Sequence, residues 1–354
     1  MIGIICAGQI ELSPFVKKYI KVFEENNIKY EIIHWDRSGE KRSDPPNYHT
    51  FTLPLERYSS KLKKAVPFIK FCRFVSSCVK KRKYEKLVIL TTQTAIFSLN
   101  LLLGKYKKRY FFDYRDTSYE YIKPYSMLIN KICNNSLGMC VSSPGFLEYI
   151  KTSTTVSISH NFQDAYYENR QMECKASSGG KIVVGYIGVL REFEYLKKLI
   201  LQFSSDKRFE FVIHGSGDCL EQLKKFSKNF ENIKVMGAYK EEEKQTIVST
   251  FDMICYNYPT SFVNYPAVAN KLYDGLIMKK PLFANSRTFS GKLISQNGLG
   301  VSIDEDSSLV TEELYNYYTS FNRDEFAKNC ENYLDKVLCD EKEYISAIKN
   351  IIQG

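Results

Sequence analysis

The chain has 354 residues, room for two domains at about 100–200 residues each, and 44 % of them are apolar, which excludes a globally disordered chain. Its formal charge of +10 is uneven: residues 1–160 hold 26 Lys/Arg against 13 Asp/Glu, an excess of 13, while residues 161–354 hold 24 against 27, a deficit of 3. The first half is therefore the part suited to an anionic partner, whether nucleic acid, bilayer or phosphorylated substrate.

Ile2–Cys6 is a short apolar run that stops at Ala7-Gly8, and Phe15, Val16, Tyr19, Ile20 and Phe23 then recur at helical spacing. Tyr30–Trp35 follows as a strand, completing a βαβ unit, and Ser38–Pro54 reads as a loop. The sequence predicts a basic helix over Lys61–Lys83, interrupted at Pro67, and strands at Leu87–Thr91, Arg109–Asp113 and Met139–Ser142. Residues 161–181 are polar and contain Ser177-Ser178-Gly179-Gly180, a linker composition. Alternation then restarts, with strands at Lys181–Ile187, Phe209–His214, Ile233–Met236, Met253–Tyr256 and Pro281–Ala284. Helices are expected over Tyr195–Phe203, Leu220–Phe230, Thr246–Phe251 and Asn270–Met278, and a continuous helical tail over Thr311–Ile352. This is α/β throughout: a Rossmann-like domain over 1–165, a linker over 166–180, a second such domain over 181–335, and a last helix over 336–354 that could return to the first domain.

The ten cysteines include no Cys-x-x-Cys, and only one of four histidines, His214, has a cysteine nearby, Cys219. Free thiols in a reducing cytosol are expected, and no metal site. The start, MIGIICAG, lacks the basic region of a secretory leader. No run reaches the ~20 apolar residues of a membrane span, so a soluble or peripheral protein is expected.

Several polar constellations could carry chemistry. Gly188-Val189-Leu190-Arg191 lies between a strand and a helix, where backbone N–H groups and a guanidinium can hold a diphosphate; a surface arginine on a turn is the plain alternative. Gly215 and Gly217 allow a close backbone approach to a ligand, or simply a tight turn. Lys271 and Asp274, three apart on one helix face, could meet a phosphate and a ribose diol, or form a solvated ion pair. Asp113, Arg115 and Asp116 cluster after a strand end, where a carboxylate could act on an acceptor hydroxyl and Arg115 could grip a phosphate, or where an internal salt bridge shapes a loop. Gly8 and Gln9 follow the first strand, at a place where a small residue admits a ligand.

Residues 61–83 contain nine Lys/Arg and no acid, with Phe68, Phe71 and Phe74 interleaved; Leu62, Ala65, Ile69, Cys72 and Val79 form a candidate buried stripe. At about 1 kcal/mol per basic residue near an anionic bilayer, contact through Lys63, Lys64, Phe68, Phe71 and Arg73 would attach the protein to a membrane. No RNA-binding motif accompanies the charge, so no nucleic-acid partner is expected.

The stretches YIGVLREFEYLKKLI from Tyr186, FVIHGSGDCLEQL from Phe211, NIKVMGAY from Asn232 and NKLYDGLIMKKPLFA from Asn270 together resemble the donor-binding half of GT-B glycosyltransferases, especially the retaining family-4-type enzymes of bacterial capsular and exopolysaccharide synthesis. FFDYRDTSYE, VSSPGFLEYI and SISHNF in the first half resemble the acceptor side and the approach to the hinge. The resemblance implies two Rossmann-like domains facing a central cleft, a nucleotide-sugar donor, most simply UDP-linked, a polyprenyl-diphosphate-linked saccharide acceptor, no cofactor, and a cytoplasmic enzyme peripheral to the anionic inner membrane surface. It places Arg191 and Lys271 on the diphosphate, Asp274 on the ribose, Gly237 to Tyr239 near the base, and Asn264 beside the donor. Two positions depart from the pattern: Pro266 stands for the first of a glutamate pair, and Glu194 for a phosphate-binding lysine. A catalytically silent subunit of the same fold that binds a partner enzyme and the membrane is the alternative, and a sugar-nucleotide epimerase a third reading.

Overall fold

The computed structural model describes all residues except 11–12, 40–43, 56–60, 162–166, 169, 175–179 and 354, and only the backbone at 61–64 and 353. The chain divides into a unit of Met1–His160 with Cys339–Gly354, and a unit of Asn161–Leu338.

The first unit is built on seven parallel strands: β1 (Ile2–Cys6), β2 (Tyr30–Asp36), β3 (Tyr48–Thr52), β4 (Lys86–Leu90), β5 (Tyr110–Tyr114), β6 (Gly138–Val141) and β7 (Val156–Ile158), in the order β3-β2-β1-β4-β5-β6-β7. Helices cover both faces, which is why β1 and β5 are buried at every position and read as unbroken apolar runs. The second unit has six parallel strands: β8 (Ile182–Ile187), β9 (Phe209–His214), β10 (Ile233–Gly237), β11 (Met253–Tyr256), β12 (Leu282–Asn285) and β13 (Gly300–Ile303), in the order β10-β9-β8-β11-β12-β13. In each sheet the strand order reverses once, between β1 and β4 in the first and between β8 and β11 in the second. Such reversals splay the loops at the carboxyl ends of the two strands and open a crevice there.

β3 lies inside the expected loop. It is an edge strand paired with β2 alone, its residues only partly covered, and its YHTFT composition carries neither an apolar run nor a clean alternation. Described residues of the expected linker belong to the second unit: Gln171 N–H donates to the Ile277 carbonyl at 2.8 Å and Arg170 pairs with Glu331 at 3.2 Å. The helical tail is two helices, Val310–Ser320 and Arg323–Gln353. Phe321 is extended, and the Asn322 carboxamide accepts from the N–H groups of Asp324 and Glu325 at 3.1 Å each, starting the second helix afresh. Phe326, Tyr333 and Leu334 of that helix enter the core of the second unit, and Tyr344, Ile348 and Ile351 that of the first.

The helix Lys61–Arg82 runs through Pro67. Its buried face is Phe71, Val75 and Val79, which shares only Val79 with the expected stripe: Ile69 is 52 % exposed, Ala65 is exposed and Cys72 half-buried, while the Leu62 side chain lies outside the described ones. The reason is Trp35. Phe71 stacks on its indole at 5.2 Å and Phe68 meets it edge-on at 5.7 Å, burying far more apolar area than Ala, Cys and Ile on the other face could. Phe71 therefore cannot touch a bilayer, and Phe68 is half-buried between Trp35 and Phe97. Arg73 is exposed, in a surface that also includes Val66, Ile69, Lys70 and Lys80; the side chains of Lys63 and Lys64 lie outside the described ones.

Candidate functional site

Each unit has a cavity at its strand-order reversal. In the first unit a cavity of about 470 Å³ is bordered by Ala7 and Gly8 after β1, Arg37 after β2, Thr91 to Gln93 after β4, and Asp116, Ser118 and Tyr119 after β5. Thr91 has φ +74°, an outlier for a β-branched residue. It is held there because it caps the short helix Thr92–Phe97, and because the Ala7 N–H donates to Thr94 Oγ1 at 2.8 Å, tying that helix to the end of β1. Strained backbone of this kind collects at ligand sites.

The expected acidic cluster is divided. Asp113 is fully buried: Tyr19 Oη donates to it at 2.8 Å and Arg115 Nε stands 2.8 Å from Oδ1. Arg115 is itself buried, donates to Ser159 Oγ at 2.7 Å and lies over the Phe15 ring at 4.0 Å. Burial works against its charge, but Asp113 more than compensates and holds the guanidinium above its ordinary pKa. Asp113 and Arg115 thus form a buried internal ion pair, the alternative to the expected catalytic role. Asp116 alone reaches the cavity. Although its outer edge is exposed, crowding by the cavity wall raises its carboxyl above the usual range; Arg115 opposes that shift and Asp113 adds to it. Gly8 borders the cavity, while Gln9 donates to Asp36 Oδ1 at 3.3 Å and braces the loop beside it.

In the second unit a cavity of about 250 Å³ lies between the end of β8 and the end of β11, bordered by Tyr186, Arg191, Glu192, Tyr195, Tyr258 and Asn264 among others. Arg191 is exposed and makes no hydrogen bond or ion pair among the described residues. The next residue, Glu192, adopts a left-handed conformation at φ +60° as the cap of the helix Phe193–Ser204. Asn264 donates to the Pro259 carbonyl at 3.2 Å, which fixes that rim.

Lys271 opens the helix Lys271–Ile277 and is 4 % exposed. Its ammonium lies 3.7 Å from the centre of the Tyr186 ring and 4.4 Å from that of Tyr258, two residues of the cavity wall, and donates to the Cys255 carbonyl at 3.3 Å. Desolvation lowers its pKa to about 8, against the smaller opposing pull of Cys255 and Asp274. The aromatic faces partly replace water around the charge.

Asp274 does not form a solvated pair with Lys271. It is buried, and Lys244 meets its Oδ1 at 2.9 Å. Burial raises its carboxyl above the ordinary range, with Lys244 opposing. The cavity beside it is only about 10 Å³, room for at most one water. Gly215 and Gly217 also differ from expectation. A Cβ on Gly215 would stand 1.8 Å from the Gly188 carbonyl oxygen and one on Gly217 2.1 Å from that of Leu190, so the close approach they permit is of one protein loop to another. Those glycines support the loop that carries Arg191. Gly215→Ala is expected to cost several kcal/mol, on the order of 3, in urea unfolding of the full chain; a loss below about 1 kcal/mol would contradict the clash. Gly237 accepts from the Gly215 N–H at 2.7 Å, and Tyr239 is half-buried against the core.

Sequence reasoning missed Arg37, Gln93, Tyr119, Tyr186 and Tyr258. Their shared signal is position, each lying at or just past the carboxyl end of a strand, or in the loop beyond it, next to a reversal that only the strand order reveals.

No protein-family model matches the sequence, and no curated protein is significantly similar to it. Solved structures are similar over the whole chain. Sucrose-phosphate synthase from Thermosynechococcus elongatus superposes with a TM-score of 0.74 at 10 % identity, covering 99 % of each chain. Anabaena Alr3699/HepE in complex with UDP gives 0.67 at 12 % identity, covering 99 % of this chain and 100 % of that one. WaaG, described as a glycosyltransferase involved in lipopolysaccharide biosynthesis, gives 0.61 at 9 % identity over 95 % of both. At such identities the likeness speaks for the fold alone, and with the two parallel sheets and their single reversals it establishes that this chain has the GT-B fold, two Rossmann-like α/β domains in one polypeptide.

Proposed function

We propose that the chain is a glycosyltransferase. It takes a sugar from a UDP-linked donor held in the second unit and transfers it, with retention, to a lipid-linked saccharide held in the first, in bacterial surface polysaccharide synthesis. The observation that carries this reading is the second unit's cavity: it sits at the strand-order reversal, presents an unpartnered Arg191, and has the buried ammonium of Lys271 behind its tyrosine wall. As the bond from the sugar's anomeric carbon to the diphosphate oxygen breaks, the electron pair stays on UDP, and these two cations stabilise the departing charge. The acceptor hydroxyl oxygen forms the new bond and releases its proton, for which Asp116 is the carboxylate in reach of the first cavity. UDP and UDP-glucose occupy the similar Anabaena structure, which supports the donor class. The exposed Val66 and Ile69 with Lys70, Arg73 and Lys80 support attachment to an anionic membrane face in the cytoplasm.

The test is calorimetric titration of UDP, followed by release of free UDP from a panel of UDP-sugars. Wild type is expected to bind UDP, and Arg191→Ala to weaken that binding by about 10- to 100-fold with the fold intact. No UDP affinity at millimolar ligand would end the proposal. The sequestration of Asp274 by Lys244 favours one alternative, a silent subunit of this fold, which would show neither hydrolysis nor transfer with any donor.

A further inference from the structure

Arg37 is a cation of the first unit's cavity that no carboxylate neutralises among the described residues. One Nη2 donates to the Ala7 carbonyl and to Gln93 Oε1 at 3.0 Å, and the guanidinium lies over the Trp35 ring at 4.7 Å. These contacts fix its plane; among the described residues no carboxylate bonds to it and its buried Nε–H has no acceptor. A charged donor withdrawn from water without an acceptor costs about 1–3 kcal/mol or more, and a ligand that brings the acceptor removes that cost. Room for that ligand adjoins it. Among the described residues a Cβ on Gly8 would meet only Cys6 Sγ, at 3.9 Å, which leaves room at the cavity floor, and Tyr119, 44 % exposed, supplies an aromatic wall.

We propose that Arg37 recognises an anionic group, a phosphate or a carboxylate, carried by the acceptor saccharide, and that the site rejects neutral sugars. This rests on the first cavity being the acceptor site of the transferase described above. Arg37 takes the anion-holding role expected of Arg115, whose charge is spent on Asp113.

The full-length protein, with UDP present to occupy the donor cavity, is titrated with α-glucose 1-phosphate, glucuronate and glucose. At least one anionic sugar is expected to bind in the millimolar range and glucose not to; binding of the phosphate alone or the carboxylate alone identifies the source of the anion. Arg37→Gln is expected to lose about 10- to 100-fold in that affinity, Arg37→Lys to recover part of it, and both to bind UDP as the wild type does. Glucose binding as well as the anionic sugars, neither anion binding more tightly than about 10 mM, or Arg37→Gln binding them as the wild type does, would each overturn the assignment. The wild-type comparison decides even if a variant fails to fold. Absence of UDP affinity with Arg37-dependent anion binding intact would sink the transferase reading and leave this site standing.

Discussion

Lys271→Met is expected to make the protein more stable and to weaken its binding of UDP by about 10- to 100-fold. In the folded chain the ammonium is desolvated among Tyr186, Tyr258 and the Cys255 carbonyl, and its pKa falls from the ordinary 10.5 to about 8. Below pH 8 it is protonated in both folded and unfolded chains, so the cost of burying the charge is fully present and independent of pH. Between pH 8 and 10.5 the unfolded chain binds the proton more tightly than the folded one, so stability from this group rises with pH across that window. The difference corresponds to a cost on the order of 3 kcal/mol at neutral pH, partly offset in the variant by the lost bond to Cys255. Urea unfolding at pH 7 and pH 10 should show the rise in wild type and its loss in Lys271→Met.

The same cost explains the proposed function of the residue. A diphosphate in the adjoining cavity would stabilise the ammonium and draw its pKa back up, so UDP binding near pH 8–9 should take up protons, visible as a buffer-dependent enthalpy. UDP affinity should fall as pH rises above about 8. Turnover in Lys271→Met should drop by about 10²- to 10³-fold, the scale for removing one donor to a developing charge. A less stable variant, or a UDP affinity flat from pH 7 to 9.5, would remove Lys271 from the donor site.

Arg115→Met should unfold the first unit more readily by about 3–5 kcal/mol, since it leaves Asp113 as an uncompensated buried charge. Asp113→Asn should cost a similar amount by stranding Arg115 and by disturbing the bond from Tyr19. The double variant Asp113→Leu with Arg115→Met should recover much of the loss, because the desolvation penalty of both ions disappears with them. The readout is urea unfolding followed by a probe in the first unit, with UDP binding by the second unit as an internal check on integrity. If either single variant were as stable as wild type while turnover collapsed, the pair would be catalytic after all and the structural assignment wrong.

Much of the fold is legible in the residues themselves. Strands such as IGIIC at β1 and FEFVIH at β9 are apolar because helices cover both faces of a parallel sheet, and each is followed by a helical period. β3 was hidden because an edge strand needs no apolar run, and the break at Phe321–Asn322 because it depends on one capping carboxamide within an otherwise helical composition. Arg191 and Lys271 were legible as cations at helix starts after strands. The fate of the other charges was not. Asp113, Arg115 and Asp116 are nearly adjacent in the chain, yet two are sealed against Tyr19, Ser159 and Phe15 and the third faces a cavity.

The amino-acid sequence by itself determined that this protein would be two α/β halves with a basic first half, because short apolar runs alternating with helical 3.6-residue periods, and the placement of glycines, act locally. Only the tertiary structure decided which charged groups remain available. Whether a carboxylate is spent inside the protein depends on residues brought next to it from distant parts of the chain: Tyr19 to Asp113, Lys244 to Asp274. Burial and pairing are properties of such encounters, so the anion contacts proposed for Arg37 and Lys271 depend on surroundings that exist only once the sheets have formed.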